Sequence, residues 1–205
     1  MLFLDELPEF RRSALEVLRQ PLEDGQVTIS RAAGSLTFPA RFMFVGAMNP
    51  SPRGTMETRG PGKAAKKYLH RISGPLLDRI DLHLEVPAMK HEQLLSAEPG
   101  EGSAAIRGRV EKARTRRRDR LGAASGIFNN AQMGPRELKR HVPLDEEARG
   151  LLAHAMTDLG LSARALDRIL KVARTIADLA EFESVHLDHL AEAIQYRTLD
   201  RQLWG

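Results

Sequence analysis

Two adjacent carboxylates, Asp5 and Glu6, directly follow the apolar run Met1 to Leu4. Such a run is typical of a buried strand, which would deliver both acids at its carboxyl end. A nucleotide hydrolase needs one carboxylate to hold a Mg²⁺ ion and a second to polarise the attacking water. We interpret Asp5 as the metal ligand and Glu6 as the group that activates water. Solvated acids at the end of a surface strand fit the short pattern equally well.

A neutral amide, Asn49, follows the second apolar run, Arg41 to Ala47. If both runs are neighbouring strands, Asn49 comes to the same sheet edge as the two acids. It could then hold the attacking water or a γ-phosphate without adding negative charge. The alternative is that Asn49 and Pro50 only start a turn.

Two arginines could add positive charge to a phosphate site. Arg79 lies between an apolar turn and a strand-like segment, from which it could reach the phosphate of a neighbouring subunit. An ion pair with Asp78 or Asp81 is the alternative. Arg164 lies in the first turn of a predicted helix, where it could meet phosphate in a cleft, or simply face solvent.

The elements that must position these residues indicate a partial α/β domain followed by a small all-α domain. Apolar runs and turn signals predict a helix from about 8 to 20 and strands at 1–4, 27–30, 36–38, 41–47 and 81–86, with a hairpin formed by 27–30 and 36–38. Residues 51–67 are predicted to form a loop, and 96–103 (SAEPGEGS) a linker. Helices are predicted near 104–121, 135–140, 145–159, 162–181 and 187–195.

Composition excludes several other classes of protein. The 205 residues include no cysteine, so disulfides, thiolate zinc sites and cysteine nucleophiles are ruled out. We expect a cytoplasmic protein without membrane association, because no run approaches the roughly 18 apolar residues of a membrane span. The scattered histidines show no metal-ligand spacing, so no zinc is expected.

Positive charge is concentrated between Arg107 and Arg120, where seven arginines and one lysine outnumber two acids. On a helix, Arg107, Arg114 and Arg118 fall near one face. This face could contact a nucleic acid backbone, a mode of binding that is independent of base sequence and sensitive to salt. A solvated helix that packs through its apolar side remains the alternative.

Four segments in order carry a family resemblance: LFLDELPEF, FVGAMNP, SGPLLDRIDLHLEVP and LSARALDRILKVARTIADL. They resemble the second half of the magnesium-chelatase-like AAA+ ATPases. The resemblance implies that Asp5 and Glu6 are the Walker B acids, Asn49 is sensor 1, Arg79 is the arginine finger and Arg164 is the sensor 2 arginine. It also implies a pre-sensor 1 hairpin at 27–38. Arg31 near its tip is a candidate nucleic acid contact, and an ordinary surface arginine is the alternative.

The resemblance implies a domain organisation and an assembly. Residues 1–95 would be the C-terminal half of the AAA+ core, 96–103 the linker and 104–205 a helical lid domain. The intact protein would be a homo-hexameric ring that binds ATP and Mg²⁺ and acts on DNA in recombination or natural transformation. A chelatase motor subunit that drives Mg²⁺ into a porphyrin and a chaperone-like remodeller are the alternatives.

Two features depart from the family pattern. The phosphate-binding motif GxxxxGK[ST] does not occur in the sequence, so we expect this chain to be inactive alone, and a truncated fragment that only binds or assembles remains a third possibility. The nearest group within the family usually has cysteines after the sensor 1 asparagine, whereas this sequence has NPSPRGTMETRG there. This difference also predicts the absence of zinc.

Overall fold

A computed structural model describes residues 1–32, 34–49, 70–87, 100–122 and 125–197. The described residues form two compact units, one up to Ile80 and the other from Asp81 onward. The first combines short strands and helices, and the second is helical. The protein is thus a mixed helix and sheet protein, as the sequence predicts.

The first unit contains four strands, three short α-helices and a 3-10 turn among its described residues. In chain order these are β1 (Leu2–Leu4), the 3-10 turn Leu7–Glu9, α1 (Arg12–Val17), α2 (Arg19–Asp24), β2 (Gln26–Arg31), β3 (Gly34–Pro39), β4 (Phe44–Gly46) and α3 (Gly74–Leu77). The buried core of the unit consists of Leu7, Leu15, Ile72, Leu76 and Leu77. The predicted strand at 41–47 is shorter than expected, and the predicted hairpin is longer.

The single helix predicted from about 8 to 20 is wrong, because the segment forms the 3-10 turn, α1 and the beginning of α2. Pro21 supplies the physical reason for the break between the two helices. It has no N–H to donate, and its ring clashes with the carbonyl four residues earlier, which belongs to Val17. The first helix therefore ends at Val17.

The second unit contains five α-helices and another 3-10 turn among its described residues. These are α4 (Ser103–Leu121), the 3-10 turn Asn130–Gln132, α5 (Pro135–His141), α6 (Glu146–Leu159), α7 (Ala163–Leu179) and α8 (Leu187–Gln195). Side chains cap two of these helices, since Asp145 accepts from the Ala148 amide at 2.8 Å and Ser162 from the Ala165 amide at 3.2 Å. The core consists of Met133, Leu138, Val142, Ala148, Leu152, Ile169, Leu170, Ala173, Leu190 and Ala193.

The strand predicted at 81–86 is wrong, because this segment forms neither strand nor helix. Its contacts are with the helical unit instead. Arg168 on α7 is ion-paired with Asp81, and the His83 amide donates to the carbonyl of Tyr196 at 3.0 Å. The alternating sequence is thus stabilised by contacts to helices, which the strand pattern does not anticipate.

The predicted loop at 51–67 and the linker up to residue 99 lie outside the described residues. Among the described helices, none combines the length and the apolar character needed to cross a lipid bilayer.

Candidate nucleotide-hydrolysis site

Parallel pairing of β1 and β4 brings the acidic pair and the amide to one edge of a sheet. Leu2 aligns with Phe44, and Leu4 aligns with Gly46. The ladder continues beyond the strands, because the Ala47 amide donates to Leu4 at 2.9 Å and the Leu7 amide donates to Ala47 at 2.9 Å. Asp5, Glu6 and Asn49 follow these aligned strands and are all exposed. The expected common edge is present, while the chemical roles of the three residues stay predictions.

The backbone turns abruptly at Glu6. This residue has φ 50° and ψ 47°, a left-handed conformation that is unfavourable for a side chain other than glycine by roughly 1 kcal/mol. The Glu6 amide donates to Asp5 Oδ1 at 2.9 Å, which fixes the first carboxylate against the turn. Strain of this kind in a non-glycine residue is concentrated at functional sites.

The donor set at this edge fits a magnesium ion that is shared with a nucleotide. A carboxylate accepts several hydrogen bonds or metal contacts, so the bond from Glu6 leaves Asp5 able to ligate a cation. Within the described residues no group of three or more His, Cys, Asp or Glu side chains forms a metal cage. One carboxylate with phosphates and waters is a usual environment for Mg²⁺.

Arg79 follows α3 and is held by its own unit. Its Nη1 donates to the Pro75 carbonyl at 2.6 Å, and its Nη2 is ion-paired with Glu23 at the end of α2. Only 10% of the Arg79 side chain is exposed. The structure therefore shows an ion pair of the kind considered as the alternative, but with Glu23, which the sequence pattern does not indicate.

Arg164 lies in the first turn of α7, as predicted, and is exposed. The cap by Ser162 fixes this turn. One turn later, Arg168 is ion-paired with Asp81. The sequence pattern does not single out this second arginine, although its spacing of four residues from Arg164 places it near the same helix face.

The candidate nucleic acid contacts are all exposed. Arg31 ends β2 and is aligned with Gly34 across the hairpin. On α4 the predicted face of Arg107, Arg114 and Arg118 has all three side chains exposed. The structure thus places these cations where a phosphate backbone could approach them.

Two deeply buried charged side chains of the described residues, Arg174 and Asp178, lie in a cluster that the sequence patterns do not indicate. Asp178 on α7 accepts from Arg120 Nη2 at 2.6 Å and from Asn130 at 2.9 Å, and it is ion-paired with Arg174 at 3.0 Å. Arg174 is fully buried and donates to the carbonyls of Phe182 and Glu183, both at 2.7 Å. Burial lowers the pKa of Arg174. Both oxygens of Asp178 and both terminal nitrogens of Arg174 are thus engaged within the fold.

Comparison with known families covers nearly the whole chain. Residues 1–94 match the family described as "Magnesium chelatase, subunit ChlI", and residues 100–197 match "Magnesium chelatase, subunit ChlI C-terminal". The first match includes the mixed unit with the acids at its strand edge, and the second includes the capped helices of the helical unit. The chain belongs to the magnesium-chelatase-like family.

The curated relatives narrow the assignment within this family. The chain is 45% identical to competence protein ComM of Haemophilus influenzae and 44% identical to the protein YifB of Escherichia coli, in both cases over 99% of this chain. It is 38% identical over 96% of its length to the protein Rv2897c of Mycobacterium tuberculosis. The chain is therefore of the ComM type, and it spans about 40% of the length of these relatives.

Proposed function

We propose that this chain is part of a ring-forming, ATP-hydrolysing AAA+ motor that acts on DNA in recombination or natural transformation. The observation that carries the proposal is the parallel alignment of β1 and β4, which puts Asp5, Glu6 and Asn49 at one exposed sheet edge. Ligands in open α/β sheets bind outside the carboxyl ends of the strands. The strained backbone of Glu6 at this edge adds support.

In this proposal each residue at the edge has one task. Asp5 would hold Mg²⁺, which would supply positive charge to the phosphates of ATP. Glu6 accepts a proton from the attacking water as the water oxygen bonds to the γ-phosphorus and the bond to the ADP oxygen breaks. Asn49 orients that water. Arg79 of the next subunit and Arg164 balance the negative charge that develops on the transferred phosphoryl group.

DNA is the proposed partner for two reasons. The exposed face of Arg107, Arg114 and Arg118 on α4 suits a phosphate backbone, and Arg31 lies at the end of the hairpin that would face the centre of a ring. The relative from Haemophilus influenzae is a competence protein by name.

The test is ATP turnover by a hexamer of this chain joined to the phosphate-loop half of the family. We expect Glu6→Gln to lower the rate by about 100-fold or more, because the proton acceptor is lost. Arg79→Ala should lower it by about 1000-fold, because a positive charge in the transition state is lost. Undiminished turnover in both variants would contradict the assignment.

A second candidate is a chelatase-type or chaperone-like motor, which the family description favours. Turnover in the presence of duplex DNA, single-stranded DNA or a protein substrate separates the candidates. Stimulation by DNA that disappears with rising salt supports the DNA motor. Stimulation by a protein partner alone supports the second candidate.

A further inference from the structure

We propose that Glu23 is a latch that withholds Arg79 from the neighbouring subunit and opens when the hairpin of β2 and β3 engages nucleic acid. This inference rests on the proposed function, in which Arg79 acts in trans. It assigns a regulatory role to Glu23.

The contacts of Arg79 describe a withdrawn side chain. A guanidinium that acts on a neighbour's phosphate must present its terminal nitrogens at the protein surface. Here Nη1 donates to Pro75 at 2.6 Å and Nη2 is paired with Glu23, while only 10% of the side chain is exposed. Both terminal nitrogens are therefore engaged within the unit. A competing carboxylate must leave before a phosphate can take its place.

The location of Glu23 connects it to the hairpin. Glu23 lies in the last turn of α2, and β2 begins at Gln26. Between them, Gly25 adopts φ 65° and its carbonyl accepts from the Ala40 amide, directly after the end of β3, at 2.8 Å. A Cβ atom at Gly25 would lie 2.9 Å from Cγ of Arg41. The end of α2 is thus fixed to both strands at the base of the hairpin, so displacement of the hairpin would move Glu23.

The energetics suit a reversible latch. The Glu23 side chain is 40% exposed, so water screens its attraction to Arg79. Although Arg79 is largely buried, a pair whose carboxylate contacts water is broken at a smaller cost than a fully buried pair. A signal of modest strength at the hairpin could therefore release Arg79.

The experiment compares Glu23→Gln with Asp24→Asn in the assembled full-length motor. Both variants remove one exposed carboxylate from the same helix end, and the first removes the carboxylate that is ion-paired with Arg79. We expect Glu23→Gln to raise ATP turnover without DNA by about three- to fivefold, which corresponds to a partly exposed ion pair. Turnover with DNA should stay near that of the wild type, so the ratio of turnover with DNA to turnover without DNA should fall. Asp24→Asn should leave both rates unchanged.

Two further variants keep the result decisive. Glu23→Asp retains the charge but shortens the side chain, and it should raise basal turnover by a smaller factor even if Glu23→Gln fails to fold. The double variant Glu23→Gln, Arg79→Ala should return to the level of Arg79→Ala alone, because the latch acts only through this arginine.

The possible failures are distinct. Absence of ATP turnover in the wild type, or turnover that Arg79→Ala leaves intact, overturns the proposed function itself. Turnover that depends on Arg79 but is unchanged or lowered in Glu23→Gln and Glu23→Asp overturns the latch and leaves the motor in place. A gain in basal rate with an unchanged stimulation ratio overturns the link to the hairpin.

Discussion

The strand edge of the first unit and the charge cluster of the second unit use similar side chains in opposite ways. Asp5 and Glu6 are exposed at a strained turn. Asp178 and Arg174 are buried, and they share their hydrogen bonds with two further polar side chains and two carbonyls. A carboxylate that is already saturated has no capacity for a ligand, whereas one at a strand end does. The two regions therefore differ in the exposure of their carboxylates and in the capacity of these groups to accept further contacts, more than in residue type.

The largest effect on stability is expected from Asp178→Ala. This change leaves the buried Arg174 without its carboxylate partner, and we expect the free energy of unfolding to fall by about 3–5 kcal/mol. Urea unfolding followed by far-UV circular dichroism measures the loss. Asp167→Asn, an exposed carboxylate on the same helix, should change it by less than about 0.5 kcal/mol. Equal losses in the two variants would show that the burial and ion pairing of Asp178 do not distinguish it from an exposed carboxylate.

Helix α4 repeats the comparison within one element. Arg120 is ion-paired with Asp178, whereas Arg107, Arg114 and Arg118 are exposed. Replacing those three by alanine should leave stability nearly unchanged and weaken DNA binding by about tenfold or more. The slope of log affinity against log salt should become shallower by about 2.7, because each phosphate that an arginine neutralises contributes about 0.9.

The control for this measurement removes three exposed cations elsewhere in the helical unit, namely Lys139, Arg140 and Arg149. Fluorescence anisotropy with a labelled duplex gives the salt slope for both triple variants. A similar change in slope for both would show that net charge, and not the α4 face, governs binding.

A smaller effect tests the strain at the strand edge. Glu6→Gly should raise the free energy of unfolding by up to about 1 kcal/mol, because glycine adopts φ 50° without a Cβ clash. The same change should abolish ATP turnover in the intact motor. Glu9→Gly, at a nearby position without positive φ, should lower stability instead. If Glu6→Gly is destabilising, the turn is not strained.

Local sequence patterns predict much of this fold but not its ion pairs. Neighbouring residues decide the local features, namely helix caps such as Ser162, the alternation in the hairpin and the apolar runs before Asp5 and Asn49. These features can therefore be predicted from the sequence. Arg79 and Glu23 are separated by 56 residues, and Arg120 and Asp178 by 58. Which acid each arginine meets depends on the packing of distant helices. Sequence therefore locates the candidate site and leaves the state of Arg79 within it undetermined.

The smallest expected effect concerns pH and a buried histidine of the helical unit. His189 is buried, and its Nδ1 accepts from the His186 amide at 2.9 Å at the start of α8. Burial, with the neighbouring His186 and Arg174, lowers the pKa of His189 below 6.5, while Asp188 and Glu192 oppose the shift. Since the unfolded chain then binds a proton more readily than the folded one, stability is complete above pH 6.5 and falls as the pH drops below it.

Thermal melting between about pH 7.5 and 5 measures this loss, and His189→Asn should reduce the dependence on pH because its amide oxygen can still accept from the His186 amide. Burial and nearby arginines also lower the pKa of His141, so part of the dependence should remain. His154→Asn, at an exposed position, should retain the full dependence. If both variants match the wild type, the neutral His189 does not stabilise the fold. The stability of the helical unit would then not be linked to the protonation of this imidazole.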